Sequence, residues 1–189
     1  LSGRLGRPDS FVQRGKREMN ALKKFLNAVD AISDWSGKIA CWLVVPLTMG
    51  TVYDVLMRYF FKAPTKWAYE LTWMEYGALF MLGGAYALRH NVHVRVDIIY
   101  NKYPERVQYW FDALMYLIIF FPVYYILILH SSKYAIYSWK IMEHSYISYW
   151  QPPVYPIKTV MPVAFILFAL QGIAEFLRSA VYAIRGKPR

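Results

Sequence analysis

The sequence predicts an all-α integral membrane protein. Four transmembrane helices are expected, with both termini on the cytoplasmic side and an N-terminal amphipathic helix in the membrane interface. Three observations predict this. Of 189 residues, 57% are apolar and 19% aromatic, and only 18% are charged, where about 25% is usual in soluble domains. Four apolar runs are each close to the roughly 20 residues that cross a bilayer. The 22 Lys and Arg are spread unequally between the links that join those runs. The composition excludes a disordered chain, and a lone cysteine, Cys41, excludes a disulfide scaffold.

The chain divides at Met19. Residues 1–18 are Gly- and Arg-rich without apolar periodicity. They read as a poorly structured basic leader, with Met19 as the candidate natural start. From Met19 to Asp34, Leu22, Phe25, Leu26, Val29 and Ile32 share one helical face, and Lys23, Lys24, Asn27, Asp30 and Asp34 lie elsewhere. The pattern suits a helix lying in the interface. A continuation of the first span, packed on a partner, accounts for it equally. The membrane domain covers 19–185, with spans at about 37–59, 70–88, 107–130 and 157–181, and 186–189 are a basic tail. The first run begins too late and is too long for a cleaved signal peptide.

Orientation follows from the basic residues. Sixteen fall before or at the start of the first span, in the link after the second, and at the C-terminal end. Six fall on the other side: Arg58, Lys62, Lys66, Lys133, Lys140 and Lys158. Basic links stay in the cytoplasm, so both termini are expected there. The net charge of +10 is then a topology signal, and no nucleic acid is expected as a partner.

Charge inside a membrane is costly and usually functional, so its depth is informative. Asp54 and Arg58 are four apart and can pair near the close of the first span. Glu70 and Glu75 open the second span at the same level. At the opposite level, Asp112 and Glu175 can meet Arg89, Arg95 or Arg178. The middles of the spans, around Leu47, Phe80, Ile118 and Phe168, carry no charge. Two polar belts that lock a bundle at its ends fit this better than an ion pathway. Gly77, Gly83, Gly84 and Ala87 form a small-residue stripe that lets another helix approach, within the bundle or from another subunit. Pro46, Pro122 and Pro162 lie inside spans and set their shape.

The link between the third and fourth spans is long and aromatic, with Tyr146, Tyr149 and Trp150 ahead of the stop Gln151-Pro152-Pro153. Such rings anchor in membrane lipid at headgroup depth and also suit protein contacts. Lys66, Glu70, Lys140 and Glu143 are the candidate polar contacts of that platform. Catalysis finds no constellation. His90 and His93 fall on one side and His130 and His144 on the other, so no facing pair can hold haem. No zinc spacing, P-loop, G-x-S-x-G or dinucleotide fingerprint occurs. The expectation is no enzyme, no cofactor and no metal.

Three segments carry a family resemblance: Val55-Leu56-Met57-Arg58-Tyr59-Phe60-Phe61 with Trp67-Ala68-Tyr69-Glu70-Leu71; Gly83-Gly84-Ala85-Tyr86-Ala87-Leu88-Arg89 running into His93-Val94-Arg95-Val96-Asp97; and Pro152-Pro153-Val154-Tyr155-Pro156 leading to Pro162 and Gln171. From Met19 to about Arg185 the chain resembles the small membrane subunit (DctQ-type) of tripartite ATP-independent periplasmic (TRAP) transporters. The resemblance implies a bacterial inner-membrane subunit in secondary active uptake of carboxylates. A periplasmic substrate-binding protein would capture an organic acid, and a large membrane subunit would move it inward on a sodium gradient. This chain would scaffold the large subunit, which is expected as a separate chain, and help dock the binding protein. Two other readings stay open at this point: a small subunit of another tripartite carboxylate transporter, and a membrane anchor of a redox complex.

Overall fold

The structure, a computed structural model, describes residues 9–90 and 104–185. Helix α1 runs from Asp9 to Phe60 and α2 from Ala68 to Arg89. Then α3 (Glu105–Met115), a π-helical turn (Tyr116–Phe120) and α4 (Phe121–Lys140) join into one rod, and α5 (Tyr155–Arg185) closes the described chain. Rods consecutive in the chain run antiparallel: Arg89 at the end of α2 meets Asp30 in the first half of α1, and the Tyr109 ring of α3 meets the Tyr182 ring near the end of α5. One end of the bundle therefore carries the termini, and the other carries the links 61–67 and 141–154. Helix α5 touches every other helix, and α1 and α2 pack along each other.

Three helices are long and apolar enough to cross a membrane: Lys23–Phe60, Val107–Lys140 and Tyr155–Ile184. Helix α2 is not among them. Its 22 residues span about 33 Å, but Glu75, three Tyr, Trp73 and three Gly dilute its apolar content.

Burial is inverted relative to a soluble protein. The buried apolar positions are nearly all Ala: Ala40, Ala68, Ala78, Ala85, Ala113, Ala135, Ala164, Ala174 and Ala183. The large rings and branched chains face outward, with Trp42 at 75% exposure and Phe80 at 70%. In lipid there is no hydrophobic gain from hiding Leu or Trp, so helices associate where small residues allow close approach. Glycines mark the tightest points. A Cβ at Gly37 would come within 2.5 Å of the Tyr86 ring. Gly84 lies under the Phe168 ring, and Gly172 under Phe120 of the π turn. Gly83 faces Ala40 in ordinary contact, whereas a Cβ at Gly77 would meet nothing within 4 Å. Gly83 and Gly84 of the small-residue stripe thus pack inside the bundle, and Gly77 does not.

The amphipathic stretch 19–34 is not a separate interfacial helix. It continues unbroken into α1, and α1 begins at Asp9, inside the expected leader. The face turned inward is Val29, Ser33, Ser36 and Ala40, a line of small residues at helical spacing. Phe25 and Ile32, grouped with Val29 by sequence, are exposed. Close packing here selects for size, so most of the apolar face stays on the outside of the bundle. The π turn ends just before Pro122, which stands at the start of α4. Proline has no N–H and its ring crowds the carbonyl one turn back, and the wider turn at 116–120 removes that clash. Residues 91–103, with Arg95 and the segment His93–Asp97, lie outside the described residues, as do 1–8 and 186–189.

Replacing Gly84 by Leu should drive the side chain into Phe168. Overpacking typically costs about 1–3 kcal/mol, so the isolated subunit should melt at a lower temperature. An unchanged melting curve for the Gly84→Leu subunit would show that Phe168 swings away freely.

Candidate functional site

Polar side chains gather in three places. The largest cluster is near the termini end, where α1, α2 and α5 meet. Gln171 of α5 is fully buried. Its carbonyl oxygen accepts from Ser33 Oγ at 2.7 Å. Its amide nitrogen donates to Asp30 Oδ1 at 3.3 Å and to Glu175 Oε1 at 3.2 Å. Arg178 bridges the same two carboxylates, bonding Asp30 and Glu175. From α2, Arg89 donates to the Asp30 carbonyl at 3.0 Å and pairs with Asp34. His90 stands 3.6 Å from Asp34 and packs on Tyr86. Asp30 therefore ties three helices together.

This network only partly follows the sequence expectation. Glu175 does pair with Arg178 on its own helix. Arg89 meets Asp30 and Asp34 on α1. Asp112 is half-buried on α3, in a hollow beside the π turn with Met115 and Phe120. Sequence reasoning missed Asp30, Asp34, Ser33 and Gln171 as members. A neutral Gln in an apolar run was the available signal, and a search for charge passes over it.

The second cluster shapes the link between α1 and α2. Asp54 Oδ2 accepts from Arg58 Nη2 at 2.6 Å. Asp54 Oδ1 takes the Thr65 backbone N–H at 3.1 Å and the Thr65 hydroxyl. Asp54 thus caps the incoming link, while Trp67 stacks on Tyr53 at 5.8 Å. Lys62 turns the chain with φ of 50°. Arg58 is 57% exposed, so its share of this pair is weak, as for surface pairs generally. Glu75 is half-buried on α2. Glu70 is 1% exposed, and neither carboxylate oxygen has a hydrogen-bond partner among the described residues. The four residues expected at one level do not form one cluster.

The third cluster fixes the long link. Residues 141–154 fold back on themselves: Ser145 N–H bonds the Pro152 carbonyl and Val154 N–H bonds the Glu143 carbonyl, each at 2.9 Å. Met142 and Gln151 take φ of 48° and 43° to make the bends. His144 Nδ1 lies 2.9 Å from the Gln151 carbonyl oxygen. The Lys158 ammonium donates to Glu143 at 2.5 Å and sits 4.0 Å above the Tyr134 ring. This strap holds Tyr146 and Tyr149 outward, the latter 97% exposed. Of the four candidate docking residues, Lys66 and Lys140 are exposed. Glu143 is committed to Lys158, and Glu70 is buried away from any incoming surface.

The bond from Lys158 holds the Glu143 carboxyl below the usual glutamate range. A lowered folded-state pKa means stability that is present above the unfolded pKa and lost as pH falls through the folded value. The stability gap between the native chain and Glu143→Gln should therefore stay constant from neutral pH down to about pH 5. It should close only below the ordinary glutamate pKa of about 4.3. Melting curves across that range check it, and a gap that closes near neutrality would refute the pairing. At the other end, Arg178→Ala would strand Asp30 and Glu175. A stability loss of about 2 kcal/mol is expected, as for charged hydrogen bonds in partly buried settings. Equal thermal midpoints for Arg178→Ala and the native subunit would remove Arg178 from the network's core.

Comparison with known proteins bears on the identity of this bundle. A relative from Vibrio cholerae serotype O1 (strain ATCC 39315 / El Tor Inaba N16961), described as C4-dicarboxylate TRAP transporter small permease protein DctQ, is 29% identical over 62 residues. The match covers 33% of this chain and 27% of that protein. The family described as tripartite ATP-independent periplasmic transporters, DctQ component, matches residues 47–181. That range reaches from the middle of α1 through most of α5, well over half of the chain, and it includes Asp54, Gln171 and Arg178. The chain belongs to this DctQ family, a multi-pass membrane component of transporters and not an enzyme.

Proposed function

We propose that the chain is the small permease subunit of a sodium-driven TRAP transporter for organic acids. In this reading it crosses the inner membrane four times with both termini in the cytoplasm. It scaffolds the large membrane subunit and contributes to docking of the periplasmic substrate-binding protein. The observation that carries the scaffold role is the placement of charge. Among the described residues, the ionised side chains of these networks lie toward the two ends; Gln171, midway along α5, is uncharged, and Ala and Gly hold much of the remaining helix middles. A subunit that moved an anion itself would need ionisable groups or broken helices near midplane. The large outward-facing side chains of α1 and of the α3–α4 rod supply surface for a membrane partner and for lipid.

The docking role is supported by the strap 141–154 and the link 61–67, which share the loop end. Lys66 in the link, Lys140 at the end of α4, and Tyr146 and Tyr149 in the strap are all exposed there. A binding protein must leave and reload, so this contact should steer more than hold. The excess of basic residues at the other end supports placing the loop end outside.

One experiment tests side and role together. In a Cys41→Ser background, Lys66→Cys and Lys140→Cys are labelled in intact cells with an impermeant, negatively charged thiol reagent. Both positions should label, and the added charge should raise the binding-protein concentration needed for half-maximal uptake several-fold, with the complex intact. Failure to label either position would overturn the orientation. Full labelling with unchanged uptake would remove both lysines from the docking surface.

A further inference from the structure

Two hollows lie end to end in the crease between α2 and α5. The first, about 360 Å³, is closed by α2, α4 and α5 near the loop end, with Trp73, Gly77, Met81, Tyr134, Lys158 and Met161 on its walls. The second, about 490 Å³, shares Met81 and continues toward the termini end between Gly84, Ala87, Phe165 and Phe168. From Gly77 to Ala87 an α-helix rises about 15 Å. The crease is therefore long and runs with the helix axis.

We propose that this crease holds one acyl chain of a membrane phospholipid, with its phosphate end beside Lys158. Shape is the first reason, since an elongated apolar slot along the bundle matches a chain better than a compact solute. Charge is the second. Neither lining contains a carboxylate, and Lys158 is the one charged residue among the described lining residues. It stands at the loop-end mouth over Tyr134, and because its charge is paired to Glu143, it would meet a phosphate oxygen through one of its ammonium N–H groups and not as a free charge. Trp73 and Tyr76 line the same mouth, as ring residues do at headgroup depth. Unfilled space is the third reason. Nothing lies within 4 Å of where a Cβ would stand on Gly77, and three methionines, Met74, Met81 and Met161, give walls that adjust to a flexible ligand. A protein helix is a poorer occupant. It is about 10 Å across and would need the glycine floor, yet the Phe168 ring already covers Gly84.

The two open glycines allow a matched test. Gly77→Phe fills the first hollow without a backbone clash. Gly50→Phe adds the same ring on α1, where a Cβ also meets nothing within 4 Å. The full chain is extracted gently from membranes of phosphatidylethanolamine and phosphatidylglycerol, and retained phospholipid is counted by native mass spectrometry. The native chain and Gly50→Phe should each keep one phospholipid. Gly77→Phe should lower that occupancy about tenfold, which is about 1.4 kcal/mol. No retained lipid on the native chain, or equal retention on Gly77→Phe, would overturn the proposal. A second measurement does not depend on folding of the variant. The native chain, in vesicles of the same two lipids, is irradiated with a phosphatidylethanolamine carrying a diazirine on its acyl chain. Adducts are expected on the peptides holding Met81 and Met161. Their absence, while the exposed face around Trp42 is labelled, would mean that protein fills the crease.

Discussion

Gln171 uses every hydrogen-bonding position of its amide except one lone pair, and it does so with no exposure to solvent. Its oxygen takes the Ser33 hydroxyl, and its nitrogen reaches Asp30 and Glu175. Those carboxylates in turn fix Arg178, and Asp30 also receives Arg89 from α2. The arrangement sets the rotation of α1 against α5, because turning α1 by one residue would carry Ser33 and Asp30 off the shared face. It also sets the slide, since Gln171, Glu175 and Arg178 lie on successive turns of α5. In a bilayer an unpaired amide or carboxylate has no water to fall back on. Wrong registers are therefore penalised more sharply than the modest value of each bond suggests.

Once that register is fixed, the remainder of the bundle follows from size. Ala40, Ala85 and Ala174 can be buried only if the helices come close, and Gly84 and Gly172 accept the rings of Phe168 and Phe120 at the crossings. The aromatic ladder from Phe120 through Tyr124 to Phe168 then packs the π turn and α4 against α5. Because small side chains fill the inside, the bulky ones are left for the outside. The apolar exterior of α1, with Trp35, Trp42 and Met49, is thus a consequence of how the interior is held together. It leaves a long surface that only lipid or another membrane protein can cover.

The all-helical build of four long rods, the aromatic link and the end-weighted charges were legible in the sequence because each depends on local composition; that the amphipathic stretch joins α1 was only one of two open readings. The Asp54–Arg58 contact was legible as well, since both lie on one helix four residues apart. The Asp30 network was not, because Ser33 and Gln171 are separated by 138 positions and neither is charged. The inward face of α1 was not legible for a related reason: in lipid, apolarity does not report burial, and Ser33 and Ser36 are buried while Ile32 is exposed. Glu143 looked like a free docking charge because its partner, Lys158, belongs to the next helix, and only the fold of the strap brings the two within 2.5 Å. Glu70 is instructive in another way. Its place at the head of α2 suggested an exposed contact as well as a member of the polar belt, whereas the packing of the helices buries it.

The two ends of the bundle are built on different principles, and this bears on their roles. At the termini end, side chains from three helices bond one another directly, so motion of any helix would break several charged contacts together. At the loop end, the ion pairs are local: Asp54 with its own helix and the adjoining link, and Lys158 with the strap that precedes it. These ion pairs fix the shape of the links, and the tie between helices there is made instead by α4 and α5, where Trp139 Nε1 donates to Thr159 and Lys158 lies over the Tyr134 ring. The loop end therefore presents a strap and a turn each braced by its own bonds. A subunit that holds its place in the membrane at one face and meets a transient partner at the other would use this division. The proposed roles of scaffold and docking surface fall on the two ends accordingly.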